Sequence, residues 1–366
     1  MNPYSRQSLN EADIQAVLDV LKSDLLTQGE QTELFEQELA SYLGAKFVLV
    51  FNSATSALFS AYRALNLGGT EVITSPLSFV ATANMLLENQ AIPVFCDIKI
   101  DGNIDENKIE SLITPKTRAI VSVDYAGKSV EIDQIYKLAQ AYDLALISDS
   151  SHSFGGQYQG RKIGTLADVT IFSFHALKPM TTGEGGALVT DSEEIYQKAK
   201  LIRSHGVVKK TLWNSDVAHS GFNFRLSEFA SALGRSQLKR VDDFIAQREK
   251  IARFYDEVFF ENPYFDFLPI PVHIKSSRHL YPIFLKQKYW CAKESIFASL
   301  LERGLGVQVH YKPIHLLSLY RSYVASPLYC AERFYHAELS IPCHQLMSLE
   351  DARKSAENIL NLFNTL

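Results

Sequence analysis

Cysteine is scarce in this 366-residue chain, which carries only Cys96, Cys291, Cys330 and Cys343. None forms a Cys-x-x-Cys pair, so the spacing encodes neither a disulfide framework nor a zinc site. Reduced, mostly buried thiols in a cytoplasmic protein are the simplest reading. Long apolar runs are missing too, since none approaches the roughly 18 residues of a membrane span. The N-terminus, Met1-Asn2-Pro3-Tyr4-Ser5-Arg6, leads into a polar-faced helix rather than an apolar signal core. A soluble cytoplasmic protein with no membrane partner is expected. Neither sign of charge dominates: 36 Lys and Arg oppose 41 Asp and Glu, a formal net charge of −5. That balance weighs against a nucleic-acid binder, which needs a basic face. No Gly-x-Gly-x-x-Gly follows the first strand, and no Walker-type lysine loop occurs. No His-Glu-x-x-His or Gly-x-Ser-x-Gly is present, and the ten histidines lack zinc spacing. Internal repeats, charge blocks and low-complexity tracts are likewise missing.

Length suggests about two domains. Residues 11–22 and 33–43 read as amphipathic helices, the second stopped by Gly44. From Lys46 short apolar runs alternate with helical stretches. Strands are expected at 47–51, 71–74, 92–95, 119–123, 144–147, 169–172 and 187–189. Helices are expected at 53–65, 79–87, 105–113, 132–139 and 195–202. Wholly apolar strands alternating with helices imply an α/β fold with a largely parallel sheet covered on both faces. Residues 205–221 look polar and irregular. Leu226 opens a periodic stretch through Ile251, read as one long helix leading into a second domain. The boundary is placed at 245, giving a large domain 1–245 and a smaller α+β domain 246–366, with segment 1–25 expected against the small domain. Strands at 279–285 and 306–310 and helices at 292–302 and from Leu349 complete the second unit.

Ligands of such sheets bind beyond the carboxyl ends of the strands. Asn52-Ser53, Asp124-Tyr125, Asp149-Ser150-Ser151-His152 and Ser173-Phe174-His175 all follow strands and should converge there. Lys178 lies in the loop after 169–172, flanked by Phe174, Leu177 and Met180. Desolvation there favours the neutral amine, the form that Schiff-base chemistry requires. We read Lys178 as the amine that holds the aldehyde of pyridoxal 5'-phosphate (PLP); a solvated loop lysine is the bland alternative. Asp149 either caps a turn or faces the pyridine nitrogen and keeps it protonated. His152 is either a satisfied polar residue or a ring contact. Asn52 to Ser56 opens a helix suited to a phosphate, with Ser173 able to add a hydroxyl. Phe79 is either core or a ring stacked on the cofactor.

Four motifs carry a family resemblance. They are Ser-Phe-His-x-x-Lys-x-x-Thr-x-Gly-Glu-Gly-Gly at 173–186, Ser-Asp-Ser-Ser-His at 148–152, Asn-Ser-Ala-Thr-Ser-Ala-Leu at 52–58 and Gly-Phe-Asn-Phe-Arg-Leu-Ser-Glu at 221–228. In this order, across nearly the whole chain, they resemble the DegT/DnrJ/EryC1/StrS nucleotide-sugar aminotransferases. The resemblance implies the aspartate-aminotransferase (fold type I) architecture, with a large three-layer domain and a smaller C-terminal one. It also implies PLP and a homodimer with shared active sites. Carried over residue by residue, Lys178 matches the cofactor-anchoring lysine and Asp149 the partner of the pyridine nitrogen. His152 matches a ring-contacting position often occupied by glutamine, and Phe79 the stacking aromatic. Ala54, Thr55 and Ser173 match the phosphate cradle, and Asn223 an asparagine that reaches across the dimer. Members with histidine in place of the lysine are dehydratases, and this chain keeps lysine.

Within that family, Leu26 to Gly29, Ser78 to Glu88, Val123 to Val130 and Gln308 to Ile314 are most similar to members of the pseudaminic acid branch. These use L-glutamate, released as 2-oxoglutarate, to aminate C4 of a UDP-linked 4-keto-6-deoxy-L-sugar. The resemblance then implies sugar-nucleotide contacts at Tyr4, Asp24, Leu25, Leu26, Thr27, Ala54, Ser173, Asn223, Gln308, Val309, His310 and Tyr311. A bacillosamine-type or perosamine-type 4-keto sugar is the alternative substrate. A PLP- or sugar-binding regulator without turnover is the alternative of a different class.

Overall fold

A computed structural model describes residues 2–324 and 326–365. Seven strands build the central sheet: β1 (Phe47–Phe51), β2 (Glu71–Thr74), β3 (Ile92–Phe95), β4 (Thr117–Val123), β5 (Ala145–Asp149), β6 (Val169–Ser173) and β7 (Gly186–Thr190). Their spatial order is β1-β7-β6-β5-β4-β2-β3. The run from β6 to β3 is parallel, and β7 runs antiparallel to both neighbours. The main helices are α1 (Glu11–Leu21), α2 (Glu30–Leu43), α3 (Ala54–Ala64), α4 (Ala81–Glu88), α5 (Ile132–Ala141), α6 (Glu193–Arg203), α7 (Glu228–Leu238), α8 (Val241–Val258), α9 (Lys293–Glu302), α10 (Tyr329–Ala337) and α11 (Leu349–Phe363).

Period-two alternation explains why the strands read as unbroken apolar runs. Leu49 and Phe51 join α3 in one core with Ile147, Val169 and Ile171. Val48 and Val50 point the other way, to Phe35 and Leu39 of α2 and to Phe172. Both faces of the sheet are covered, so both sets must be apolar. Small residues at Ala57 and Ala61 let α3 lie close to the strands. The expected mainly parallel α/β sheet is therefore present.

The structure corrects three local expectations. Residues 205–221 are not irregular: they hold the hairpin of β8 (Val207–Lys209) and β9 (Ser215–Val217). Its residues are almost all polar or exposed, so burial left no alternating pattern to read. The long helix expected from Leu226 is two helices, α7 and α8, which meet at Lys239-Arg240. The N-terminal segment pins that corner, because Gln237 Nε2 donates to Ser8 O and to Asp13 and Arg240 pairs with Asp13. Residues 306–310 form no regular strand. Gly306 N–H is taken by Asn2 O, and only a single bridge joins Gln308 to Ser340.

A second sheet holds β10 (Phe265–Phe267), β11 (Tyr281–Leu285) and β12 (Glu338–Ile341), all antiparallel. It packs with Ile296, Leu300, Ile359 and Phe363 in a separate core. Helix α8 serves both cores: Val241 and Ile245 join the large one, and Ile251, Ala252 and Tyr255 the small one. Residues Asn2 to Tyr4 hydrogen-bond to Gly304 and Cys343, while α1 lies on α7. Among the described residues no helix is long and apolar enough to cross a membrane.

Candidate active site

Lys178 sits in the loop that joins β6 to β7 beyond the sheet's carboxyl edge. The loop is closed by its own backbone: Phe174 N–H donates to Gly185 O, and Thr182 N–H to Phe174 O. Thr181 Oγ1 donates to Phe174 O, and Gly183 sits at φ 82°, a left-handed turn that suits glycine. Ser5 Oγ donates to Leu177 O, so the N-terminal segment ties the loop down beside the lysine. Phe174 and Met180 are buried in the core below. Burial pushes the Lys178 amine down to about 8, with Asp149 opposing that shift and Arg248 adding to it. The expectation of a poorly hydrated amine therefore stands on observed packing.

Asp149 ends β5 and is buried. Its Oδ2 accepts from Thr82 Oγ1 at 2.6 Å, and its Oδ1 from Ser151 Oγ at 2.6 Å. His152 is buried, and its Nε2 lies 3.0 Å from Tyr311 Oη. Its ring centroid lies 4.5 Å from that of His279, whose Nε2 is 3.4 Å from Lys178 Nζ. Burial, with the nearby Lys178 charge, holds both imidazoles well below the usual histidine range, so both are neutral. Ser53 caps α3 by accepting from Ser56 N–H, which sets Ala54 and Thr55 in the helix's first turn.

These groups line one cavity of about 450 Å³. Of the residues singled out from sequence, Lys178, Asp149, His152, Phe79, Ala54, Thr55, Ser173, Tyr4, His310 and Tyr311 line it. Phe79 is 60% exposed, which places it at the rim rather than in the core, 6.3 Å from the Tyr311 ring. The others lie elsewhere on the chain. Asp24, Leu25, Leu26 and Thr27 form an exposed link between α1 and α2, with Asp24 and Leu25 on a separate hollow beside α7. Asn223 is exposed and bridges Ser204, Gln308 is exposed beside Ser340, and Val309 packs on the C-terminal core. Asp124, expected in the crevice, is instead buried scaffolding: it accepts from Ser150 Oγ, Ser153 Oγ and Val130 N–H and so shapes the loop that carries His152.

His279 and Thr82 were missed. His279 meets Lys178 across 101 positions, and no spacing rule reaches that far. Thr82 looked like one more residue of the expected helix at 79–87. Arg248 is fully buried and its side chain is taken up by the fold. Its guanidinium donates to the carbonyls of Arg278, His279 and Cys343, to Ser5 Oγ and to Gln345 Oε1.

The residues present fit PLP. His152 and His279 set neutral imidazoles in the wall of the cavity, beside the amine. Gly186 passes so close to α3 that a Cβ there would lie 2.4 Å from Ala54 N, so the first turn of that helix stays open for an anion. A low-pKa amine, a buried carboxylate and a helix N-terminus around one cavity define a fold type I aminotransferase site. The chain belongs to the DegT/DnrJ/EryC1/StrS aminotransferase family, whose model matches residues 7–360.

Two similar proteins, from Helicobacter pylori and Campylobacter jejuni, are each a UDP-4-amino-4,6-dideoxy-N-acetyl-β-L-altrosamine transaminase. The first is 50% identical over 99% of this chain and 98% of its own length; the second is 49% identical over 99% and 97%. The structure of Helicobacter pylori PseC, an aminotransferase involved in the biosynthesis of pseudaminic acid, superposes with a TM-score of 0.96 at 50% identity, covering 99% of both chains. The PLP-form of the putative sugar aminotransferase Spr1654 from Streptococcus pneumoniae gives 0.93 at 29% identity, covering 99% of this chain and 98% of its own.

Proposed function

We infer that this chain is a PLP-dependent aminotransferase that moves the amino group of L-glutamate to C4 of a UDP-linked 2-acetamido-2,6-dideoxy-L-hexos-4-ulose. The product is UDP-4-amino-4,6-dideoxy-N-acetyl-β-L-altrosamine, in pseudaminic acid biosynthesis. The observation that carries this reading is full-length 50% identity to a transaminase of that name, joined to an intact lysine-centred cavity.

When bound, PLP supplies an aldehyde for imine exchange and a ring that takes up electrons. Lys178 anchors the aldehyde. Its Nζ, pushed down to about 8 by burial, would also take and return the proton at the donor's α-carbon. Asp149, oriented by Thr82 and Ser151, keeps the proton on the ring nitrogen. His152, whose Nε2 lies 3.0 Å from Tyr311 Oη, would contact the ring. Ala54, Thr55 and Ser173 would hold the phosphate, and Phe79 would cover the ring at the rim. Tyr4, His310 and Tyr311 line the sugar side.

The protein acts as a cytoplasmic homodimer. This reading accounts for the expected sugar contacts that lie away from the cavity: Asn223, the 24–27 link and Gln308-Val309 serve the site from the dimer face. The deciding experiment incubates the enzyme with L-glutamate and UDP-linked 4-keto-6-deoxy sugars of both configurations. NMR of the aminated carbon should report the L-altro product. Amination of a D-configured ketone alone would reject the substrate assignment.

A further inference from the structure

A second polar network touches the cavity and takes no part in anchoring the cofactor. It starts at Glu338, the first residue of β12, which is fully buried. One carboxylate oxygen, Oε1, accepts from Ser340 Oγ at 2.6 Å, and the other, Oε2, accepts from the backbone N–H of His310 at 2.8 Å. Ser340 Oγ in turn lies 2.8 Å from His310 Nδ1. All three side chains are buried, and His310 lines the same cavity as Lys178. Lys293, Tyr125 and Tyr311 also face the carboxylate, and Lys293 donates to Tyr335 O.

Proton counting fixes the direction of each bond. A serine hydroxyl has one proton to give. Burial raises the Glu338 carboxyl to about 7, with Ser340, Lys293 and the His310 N–H opposing the rise, so above that pH it is a carboxylate that can only accept and Ser340 spends its proton there. The remaining contact must then run from His310 Nδ1–H to Ser340 Oγ. A neutral imidazole carries one ring proton, so Nε2 is left as a bare acceptor. Burial and the Lys178 charge push His310 down to about 3, which keeps the ring neutral. Tyr4 packs its ring 5.1 Å from the imidazole and limits its rotation.

We propose that Glu338 and Ser340 lock His310 as the Nδ1–H tautomer, so that its Nε2 meets the bound sugar as an acceptor and selects a substrate carrying a hydroxyl or amide N–H at that point. Glu338 and Ser340 are positioning residues that act through His310. The selection follows from cost: a sugar offering only an acceptor there would face lone pair against lone pair and leave a buried group unpaired. The substrate half of the statement rests on the nucleotide-sugar reading of this cavity; the tautomer half does not.

The test uses full-length holoenzyme with 15N-labelled histidine rings, at mildly alkaline pH where the carboxylate form prevails. Two-bond 15N–1H correlations should give His310 a pyrrole-type Nδ1 and a pyridine-type Nε2. In Glu338→Gln the amide can donate toward Ser340, so the relay reverses and Nε2 becomes the protonated nitrogen. The KM for the nucleotide sugar should then rise about tenfold, the factor for one mismatched hydrogen bond. Ser340→Ala, which deletes the middle hydroxyl, should give mixed tautomers and guards against a misfolded glutamine variant. A protonated Nε2 in the wild type overturns the proposal. So does a reversed tautomer that leaves the sugar KM unchanged. Failure of the aminotransferase reading would look different: no amino transfer by wild-type enzyme at all, with the His310 signals still reporting the lock.

Discussion

Replacing Lys178 by methionine should stabilise the cofactor-free protein while destroying its function. The amine falls from 10.5 to about 8 because burial disfavours its charge. That difference corresponds to about 3 kcal/mol at 1.36 kcal/mol per pH unit, an upper value because the residue borders an open cavity and is only half-buried by surface. The sign follows from proton linkage. Between pH 8 and 10.5 the unfolded chain binds the proton and the folded one does not, so wild-type stability from this group rises with pH. Below pH 8 the penalty is complete. Methionine has similar length and no charge, so it escapes the penalty. Urea denaturation of both cofactor-free proteins should show Lys178→Met more stable by up to about 3 kcal/mol at pH 7, with the gap closing toward pH 10.5. A gap that is absent, reversed or flat with pH would refute the claim that the fold holds this amine at a cost.

Other outcomes follow from the same geometry. Asp149→Asn should fold and bind PLP but turn over about 100-fold or more slowly, because the ring nitrogen loses its proton partner; steady-state kinetics beside cofactor absorbance checks this. Gly186→Ala would drive a methyl to within 2.4 Å of Ala54 N, so it should cost roughly 1–3 kcal/mol and raise the dissociation constant for PLP, read by thermal shift and cofactor titration. Arg248→Met should strand the carbonyls of Arg278, His279 and Cys343 and lower stability by about 3 kcal/mol, read by denaturation midpoint.

The sheet was legible because its strands are buried on both faces and stand out as short apolar runs between amphipathic helices. Asp149 and Lys178 were legible because each follows such a run, at the edge where parallel sheets bind ligands. The small sheet was read only in part. Tyr281–Leu285 showed as an apolar run, but Glu338–Ile341 did not, since Glu338 and Ser340 are polar residues buried in a hydrogen-bonded network with His310. The break between α7 and α8 depends on Asp13 and Ser8, more than 220 positions away, and no local window contains that information. His279 was invisible for the same reason. Motif resemblance placed Asn223 and Gln308 near substrate, and in this chain both lie outside the cavity.

The account depends most directly on an imine between Lys178 and PLP. Borohydride reduction of the holoenzyme, followed by peptide mapping, should place one pyridoxyl group per chain on the peptide that contains Lys178. A pyridoxyl group on a different lysine, or on none, would contradict it.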